Sequence, residues 1–296
     1  MKYLTFTLKI TFLTLFISSC VENSSEPKPF LTDPVVEKLV GGFGFLEGPV
    51  WVEGTGLLFS DIPENTIFLF ADDSVSEYIK PSGNSNGLAL DREGRLLICQ
   101  HGPRRLIRLE KNGDTTILAS HYQGKRLNSP NDLAVKSDGS IFFTDPPYGL
   151  FDQGAETELG FNGVYRVSAD GNLQLLDSSL TRPNGICLSP DESILYVNDT
   201  EKRKVFAWDI VNDTAIANKR EVGYMEPRGG ADGMKVDKNG FLYVTGPIGI
   251  WVFSPEGAAL DTIPVPGQTA NCGWNSDSTA LYVTSGEGLY RIMNAK

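Results

Sequence analysis

The sequence predicts an all-β fold, a six-bladed β-propeller with a central metal site, its ring closed by an N-terminal strand. Three observations carry that expectation. The first is the unit DGMKVDKNGFLYVTG, Asp232 to Gly246. Here an acidic and a small residue precede an apolar-alternating run, a Lys-Asn-Gly turn and a β-branched, aromatic strand. The second is its recurrence, since the same grammar follows Glu47, Asn86, Asn131, Asn184, Asp232 and Asn271, starts that lie 39, 45, 53, 48 and 39 residues apart. Periods of about 40–50 residues with several strands per unit mark a propeller. The third lies at the ends, where Val35 to Val40 is a strand candidate without a hairpin and Leu281 to Ile292 supplies only two strands to the last unit. Lending the first strand to the last blade completes it and covers an edge open to unwanted pairing.

Taken in chain order, residues 1–19 read as a lipoprotein signal peptide. Lys2 and Lys9 flank and interrupt an apolar run from Leu4 to Ile17, and small residues follow up to Cys20. The pattern resembles a bacterial lipobox, in which Cys20 is acylated and becomes the new N-terminus; a plain secretory signal or a short anchor is the alternative. Residues 20–34, with the run ENSSEPKP, read as a flexible tether. Residues 35–296 read as the propeller domain, a size that one all-β unit reaches. The expected location is the cell envelope, periplasm or outer membrane, of a bacterium, with membrane contact only through a lipid on Cys20.

Composition narrows the partners. The net charge of −11 becomes −13 once Lys2 and Lys9 are removed with the leader, and no basic stripe remains, so nucleic acid is not expected as a partner. Cys99, Cys187 and Cys272 lie in or at the start of strand-like runs, an odd number suited to buried thiols rather than to a disulfide framework. Only His101 and His121 are present, which argues against a His-built zinc or iron site.

The first residues of the repeats carry the chemistry. Glu47, Asn86, Asn131, Asn184, Asp232 and Asn271 all bear a side-chain oxygen. First strands of blades line the central channel, so these positions form a ring at one depth. Asn and Asp also open strands simply as turn residues, but that preference would admit Ser, Gly and Pro as well. Convergent oxygens with two carboxylates suit a hard cation, Ca²⁺ above others.

Loops after the second strands surround the same end of the channel and hold Asp61, His101, Asp145 to Tyr148, Asn198-Asp199 and Gly246. Inserted length gathers there, in Pro146 to Gly163 and Gln123 to Pro130. His101 is either a proton donor or substrate hydrogen-bonder at the mouth, or a loop-packing histidine; Tyr148 stands between the same two roles. Gly83 to Gly87 matches Gly-x-Ser-x-Gly but is followed by a strand-like run, not the helix that a nucleophile elbow needs. Asp237-Lys238-Asn239-Gly240 opens like an EF-hand loop but lacks the distal Glu and reads as a hairpin turn.

Four motifs together, Glu47-Gly48-Pro49-Val50-Trp51, Ser129-Pro130-Asn131-Asp132-Leu133, Arg182-Pro183-Asn184-Gly185 and Ala231-Asp232-Gly233-Met234, resemble those of the gluconolactonase and regucalcin-like (senescence marker protein) family. These are six-bladed propellers with a divalent metal in the channel. The resemblance runs from about Leu39 to Ile292. It implies Glu47, Asn184 and Asp232 as direct metal ligands and Asn131 as a ligand or close neighbour. It also implies Asp232 as general base, and Ca²⁺, Zn²⁺, Mn²⁺ or Mg²⁺ as the ion. In the regucalcin branch an Arg lies two residues before the position of Asn131; here Ser129 stands there, with Arg126 further upstream.

The expected activity is metal-dependent hydrolysis of a small-molecule lactone, sugar lactones such as gluconolactone first. The metal would polarise the carbonyl, and Asp232 would deprotonate or position water. Asn86, His101, Tyr148 and Asn271 would shape the substrate pocket. Two alternatives are an arylesterase or organophosphate hydrolase on the same fold, and a non-catalytic surface lipoprotein stabilised by calcium.

Overall fold

The computed structural model describes residues 1, 27–212, 214–226 and 229–295. The leader beyond Met1, Cys20 and the first part of the tether therefore lie outside the described residues. The rest forms six four-stranded antiparallel sheets arranged as the expected propeller. Blade 1 runs Leu46–Val52, Gly56–Asp61, Thr66–Ala71 and Ser74–Ile79. Blade 2 runs Ser85–Leu90, Leu96–Gln100, Arg105–Leu109 and Thr115–Ala119, and blade 3 Leu133–Val135, Ile141–Asp145, Gly163–Val167 and Leu173–Asp177. Blade 4 comprises Pro183–Leu188, Ile194–Asp199, Lys204–Val211 and Ala215–Tyr224, and blade 5 Met234–Val236, Leu242–Gly246, Gly249–Phe253 and Ala259–Pro264. Blade 6 takes Thr269–Trp274, Leu281–Ser285 and Gly288–Asn294 from the C-terminal end and Pro34–Gly41 from the N-terminal end. That closure is antiparallel, from Pro34 opposite Asn294 to Gly41 opposite Gly288.

The apolar runs explain the stacking. In each second strand successive side chains face opposite neighbours, so the strand must be apolar on both sides rather than alternating. Phe142 packs into the layer with Ile186, Leu195 and Trp208 of blade 4, while the next residue, Phe143, packs with Leu97, Cys99 and Leu106 of blade 2. The core is thus divided into layers between adjacent blades. Cys99, Cys187 and Cys272 are buried in these layers as free thiols.

The first strands meet around the axis with very little room. The amide of Gly87 donates to Asn131 O at 2.8 Å, that of Gly185 to Asp232 O at 3.0 Å and that of Gly233 to Ala270 O at 2.7 Å. Second-strand side chains reinforce the same joints. Ser60 Oγ donates to Asn86 O at 2.8 Å, Thr144 Oγ1 to Asn184 O at 2.7 Å and Thr245 Oγ1 to Ala270 O at 2.7 Å. The glycine after the ring residue is therefore a spacing requirement: a Cβ on Gly185 would lie 2.2 Å from Asp232 O.

The N-terminal segment differs from expectation. The tether read over residues 20–34 is packed in its last part, because Phe30 N donates to Asp237 Oδ2 at 2.8 Å and Leu31 N to Tyr243 Oη at 3.1 Å. Asn239 Nδ2 reaches Lys28 O at 2.9 Å, and the Phe30 ring meets Trp274 edge-on at 5.8 Å. These partners sit at the far ends of the first strands, so the chain enters the body on the face opposite the ring residues. Asp237 to Gly240 is the hairpin turn that the sequence suggests, with Gly240 N on Asp237 O at 3.0 Å and a Gly240 φ of 90°. Ser85, the serine of the Gly-x-Ser-x-Gly match, is buried in a strand and bonded to Ser60 and Ser82.

Gly185→Ala should cost about 1–3 kcal/mol or more, the usual range for overpacking against fixed backbone. Urea denaturation checks this, and an unchanged midpoint would contradict the close approach of blades 4 and 5.

Candidate active site

The ring positions do converge. At the end of the channel where the first strands begin lies a cavity of ≈390 Å³ whose lining includes Glu47, Asn86, His101, Asn131, Tyr148, Asn184 and Asp232. Each blade from 1 to 5 contributes its ring residue to this lining. Asn271 does not line it. Its Nδ2 donates to Glu47 Oε2 at 3.1 Å and its Oδ1 accepts from Cys272 N at 2.8 Å, so it stands behind Glu47 and holds it rather than facing a substrate.

Glu47 is buried, and both of its donors, Gly48 N at 3.0 Å and Asn271 Nδ2, go to Oε2. Oε1 is left for the cavity. Asn184 is held in the same manner: its Nδ2 bonds Tyr148 Oη at 3.3 Å and Thr200 Oγ1 at 3.2 Å, which turns its carbonyl oxygen toward other partners. Thr200 in turn donates to Ala231 O at 2.7 Å, beside Asp232. Fixing one end of a ligand so that the other faces an ion is the usual work of outer-shell groups.

The electrostatics agree with a cation site. Burial, with the nearby Asp132 carboxylate adding to it, pushes Glu47 up to about 7, against the lowering effect of Gly48 and Asn271. Burial and then the charge of Glu47 raise Asp232 well above the carboxylate range. No Lys or Arg side chain lines the cavity to offset them. Lys235 lies beside Asp132 at 3.9 Å; burial opposes its charge, but Asp132 and the other acidic groups hold it protonated. Among the described residues no cluster gathers three or more His, Cys, Asp or Glu side chains. The set is two carboxylates and two amides, all oxygen donors, which fits a hard divalent cation such as Ca²⁺ and not a soft one.

His101 lies at the cavity wall, buried, its Nε2 3.2 Å from Asn86 Nδ2. Burial lowers it to about 4, so the ring is neutral near pH 7 and serves as a hydrogen-bonding group, not as a proton donor. Asn86 Oδ1 and His101 Nδ1 are buried without a protein partner. Tyr148 opens a short helix, α1 (Tyr148–Gln153), and burial pushes its hydroxyl up to about 12, keeping it protonated.

Sequence reasoning missed Thr200 and the apolar rim formed by Phe45, Ile62, Pro63 and Phe151. The sequence marks the mouth loops but not which of their side chains reach the cavity. Asp61, Asp145 and Asp199 prove to be clamps. Asp61 accepts from Gly44 N at 2.8 Å and Phe45 N at 3.2 Å, Asp145 from Asn128 N at 2.7 Å, and Asp199 from Thr181 N at 2.8 Å and Arg182 N at 3.1 Å. Each fastens the loop that precedes the first strand of its own blade. Ser129 is likewise structural: its Oγ donates to Pro146 O at 2.6 Å and accepts from Gly149 N at 2.9 Å, so it seats α1.

With this geometry in hand, comparison with known proteins is informative. A family model described as SMP-30/Gluconolactonase/LRE-like region matches residues 45–287. A gluconolactonase from Zymomonas mobilis subsp. mobilis is 35% identical over 286 residues, covering 87% of this chain and 80% of the relative. The solved structure of a gluconolactonase from Xanthomonas campestris superposes with a TM-score of 0.84 at 36% identity, over 89% of this chain and 90% of the other. A diisopropyl-fluorophosphatase from Loligo vulgaris is 28% identical over 182 residues, 58% of each chain.

The raised carboxylates set a pH dependence for the metal-free protein. A carboxylate raised on folding costs nothing below its ordinary value near 4.5 and progressively more as pH rises through the folded value, here about 7 for Glu47. That cost is on the order of 3 kcal/mol. Melting temperatures of chelated protein should therefore fall from pH 5 to pH 8, and Glu47→Gln should lessen the fall while the part set by the burial of Asp232 persists. A melting temperature that rises over this range would contradict the assignment.

Proposed function

The chain belongs to the SMP-30/gluconolactonase/LRE-like family, and from that premise we propose that it hydrolyses a lactone, with sugar lactones such as gluconolactone as the first class. The observation that carries the reading is the single cavity that joins Glu47, Asn131, Asn184 and Asp232 on one polar floor. A divalent cation, calcium in this reading, would be held by those four side chains and would supply Lewis-acid polarisation of the lactone carbonyl.

The chain's own groups account for the proton movements. Asp232 keeps part of its surface open to the cavity, and its raised proton affinity brings it toward the working range of a general base. It orients the attacking water and takes one proton as the water oxygen bonds the carbonyl carbon. The bond from that carbon to the ring oxygen then breaks, and the ring oxygen leaves as a hydroxyl with the proton returned from Asp232. Neutral His101 with Asn86, and protonated Tyr148, hydrogen-bond the lactone and hold its carbonyl over the floor. The organophosphate reading has weaker support, a relative that matches a little over half of the chain.

A pH-drop assay on glucono-1,5-lactone tests the proposal with protein lacking residues 1–19. Chelation should abolish turnover, Ca²⁺ should restore it, and Asp232→Asn should lower it by about 10²–10⁴-fold, the usual contribution of a positioned base. Bound calcium without turnover would favour the binding-protein alternative.

The location remains part of this proposal: a lipid on Cys20 tethers the protein to the cell envelope. Residues 28–31 pack on the face opposite the cavity, so an anchor upstream of them leaves the mouth free for a diffusing substrate. Cys20→Ser in the full chain should move the protein from the membrane pellet to the soluble fraction. Continued sedimentation of that variant would rule out the thioether-linked lipid.

A further inference from the structure

We infer that the cavity contains, beside its polar floor, an apolar subsite, and that the preferred substrate is a neutral lactone bearing an alkyl or aryl substituent. This inference rests on the lactonase reading above, keeps its reaction, and moves the preferred substrate from sugar lactones to apolar-substituted ones. Phe45, Ile62 and Pro63, from the loops beside the first strands of blade 1, line the cavity together with Tyr148 and Phe151 of α1. These rim side chains, the Tyr148 hydroxyl apart, offer no hydrogen bond to a ring of hydroxyl groups. Burying a polyol edge against them would leave its hydroxyls unpaired, whereas an apolar substituent gains by leaving water there.

Phe151 is 61% exposed, which by itself would need no explanation. What gives it meaning is how firmly it is placed. Helix α1 is seated by Ser129 on Gly149 N, by Gln153 Nε2 on His101 O at 3.0 Å and by the buried Leu150. A Cβ on Gly149 would approach His101 Cβ to 2.7 Å, so the helix lies directly on blade 2. The Arg182 guanidinium lies 5.9 Å from the centre of the Phe151 ring and 5.8 Å from that of Tyr148, and is itself paired with Glu201 at 3.0 Å. The ring is thus held at the mouth before any ligand arrives, the condition under which an apolar contact adds most to binding. Arg182 does not line the cavity, and Asp152 at the rim joins the two floor carboxylates in disfavouring an anionic substrate.

The test is a series of δ-lactones, from unsubstituted to hexyl-substituted at the ring carbon next to oxygen, with glucono-1,5-lactone alongside, on calcium-loaded wild type and Phe151→Ala. Wild-type kcat/KM should climb about two- to fourfold per methylene over the first carbons, the range that partial burial of each allows. Phe151→Ala should flatten the climb at least tenfold at the longest chain, mostly in KM, with an unchanged melting temperature. Substituted lactones opened no faster than the parent would overturn the subsite while leaving the lactonase reading intact. If no lactone is opened, that reading fails instead, and calorimetric binding of the matching δ-lactams decides the subsite alone. Affinity that grows with chain length in wild type but not in Phe151→Ala supports it, and affinity independent of chain length overturns it.

Discussion

The structure depends on how closely the innermost strands approach one another around the axis. Each ring residue except Asn131 and Asn271 is followed by glycine, which lets the next blade's backbone approach closely; at Gly87, Gly185 and Gly233 that approach is a backbone hydrogen bond. Asp232 O receives both Gly185 N and the Asn198 amide, so blade 4 fixes the backbone of the residue that blade 5 presents to the cavity. The functional oxygens are therefore positioned by main-chain joints between blades rather than by loops, and rigid elements hold a site more accurately than loops do. The same joints make the site inseparable from ring closure: unless Pro34–Gly41 completes blade 6, blade 6 cannot hold Asn271 against Glu47.

That rigidity has an energetic counterpart. Glu47 and Asp232 are forced into one poorly solvated floor where burial raises the proton affinity of both, and the charge of Glu47 raises that of Asp232 further. A fold optimised only for stability would place an apolar pair there, as replacement of buried charges by well-packed residues often stabilises. The unfavourable arrangement is offset by the layers between blades, which are large and rich in apolar side chains, with Leu46, Leu57, Phe59, Phe142 and Phe143 fully out of water. Two charges that repel in the free protein are the ones that would gain most from a cation, so under the proposed metal-assisted reading the cost to the fold would also be the source of affinity.

Much of this was legible in the sequence because a propeller repeats its register. Aligning the repeats identifies which residues share a depth, and the unpaired segment near Val35 identifies the closing strand. The alignment carries no information about which side of a given depth a side chain takes. Asn271 belongs to the column yet lies behind Glu47, since Cys272 N and the Glu47 carboxylate claim both ends of its amide. Asp61, Asp145 and Asp199 likewise share a column, and it marks a backbone clamp rather than chemistry. The packing of residues 28–33 was illegible for another reason. A polar, proline-containing stretch has a tether's composition, and only the distant partners Asp237 and Tyr243 give it a fixed path.

In the proposed reaction the ring alone would serve any hard-cation hydrolase, and discrimination among substrates would come from what is inserted above it. The stretch between the second and third strands of blade 3 is long enough to fold α1 back over blade 2, and Ser129 anchors its start. A long cationic side chain at position 129 could not make that pair of short bonds to Pro146 O and Gly149 N, because both require a hydroxyl close to the backbone. Ser129 thus sets where α1 lies, because one hydroxyl holds both Pro146 O and Gly149 N, and α1 in turn carries Tyr148 and Phe151 to the cavity.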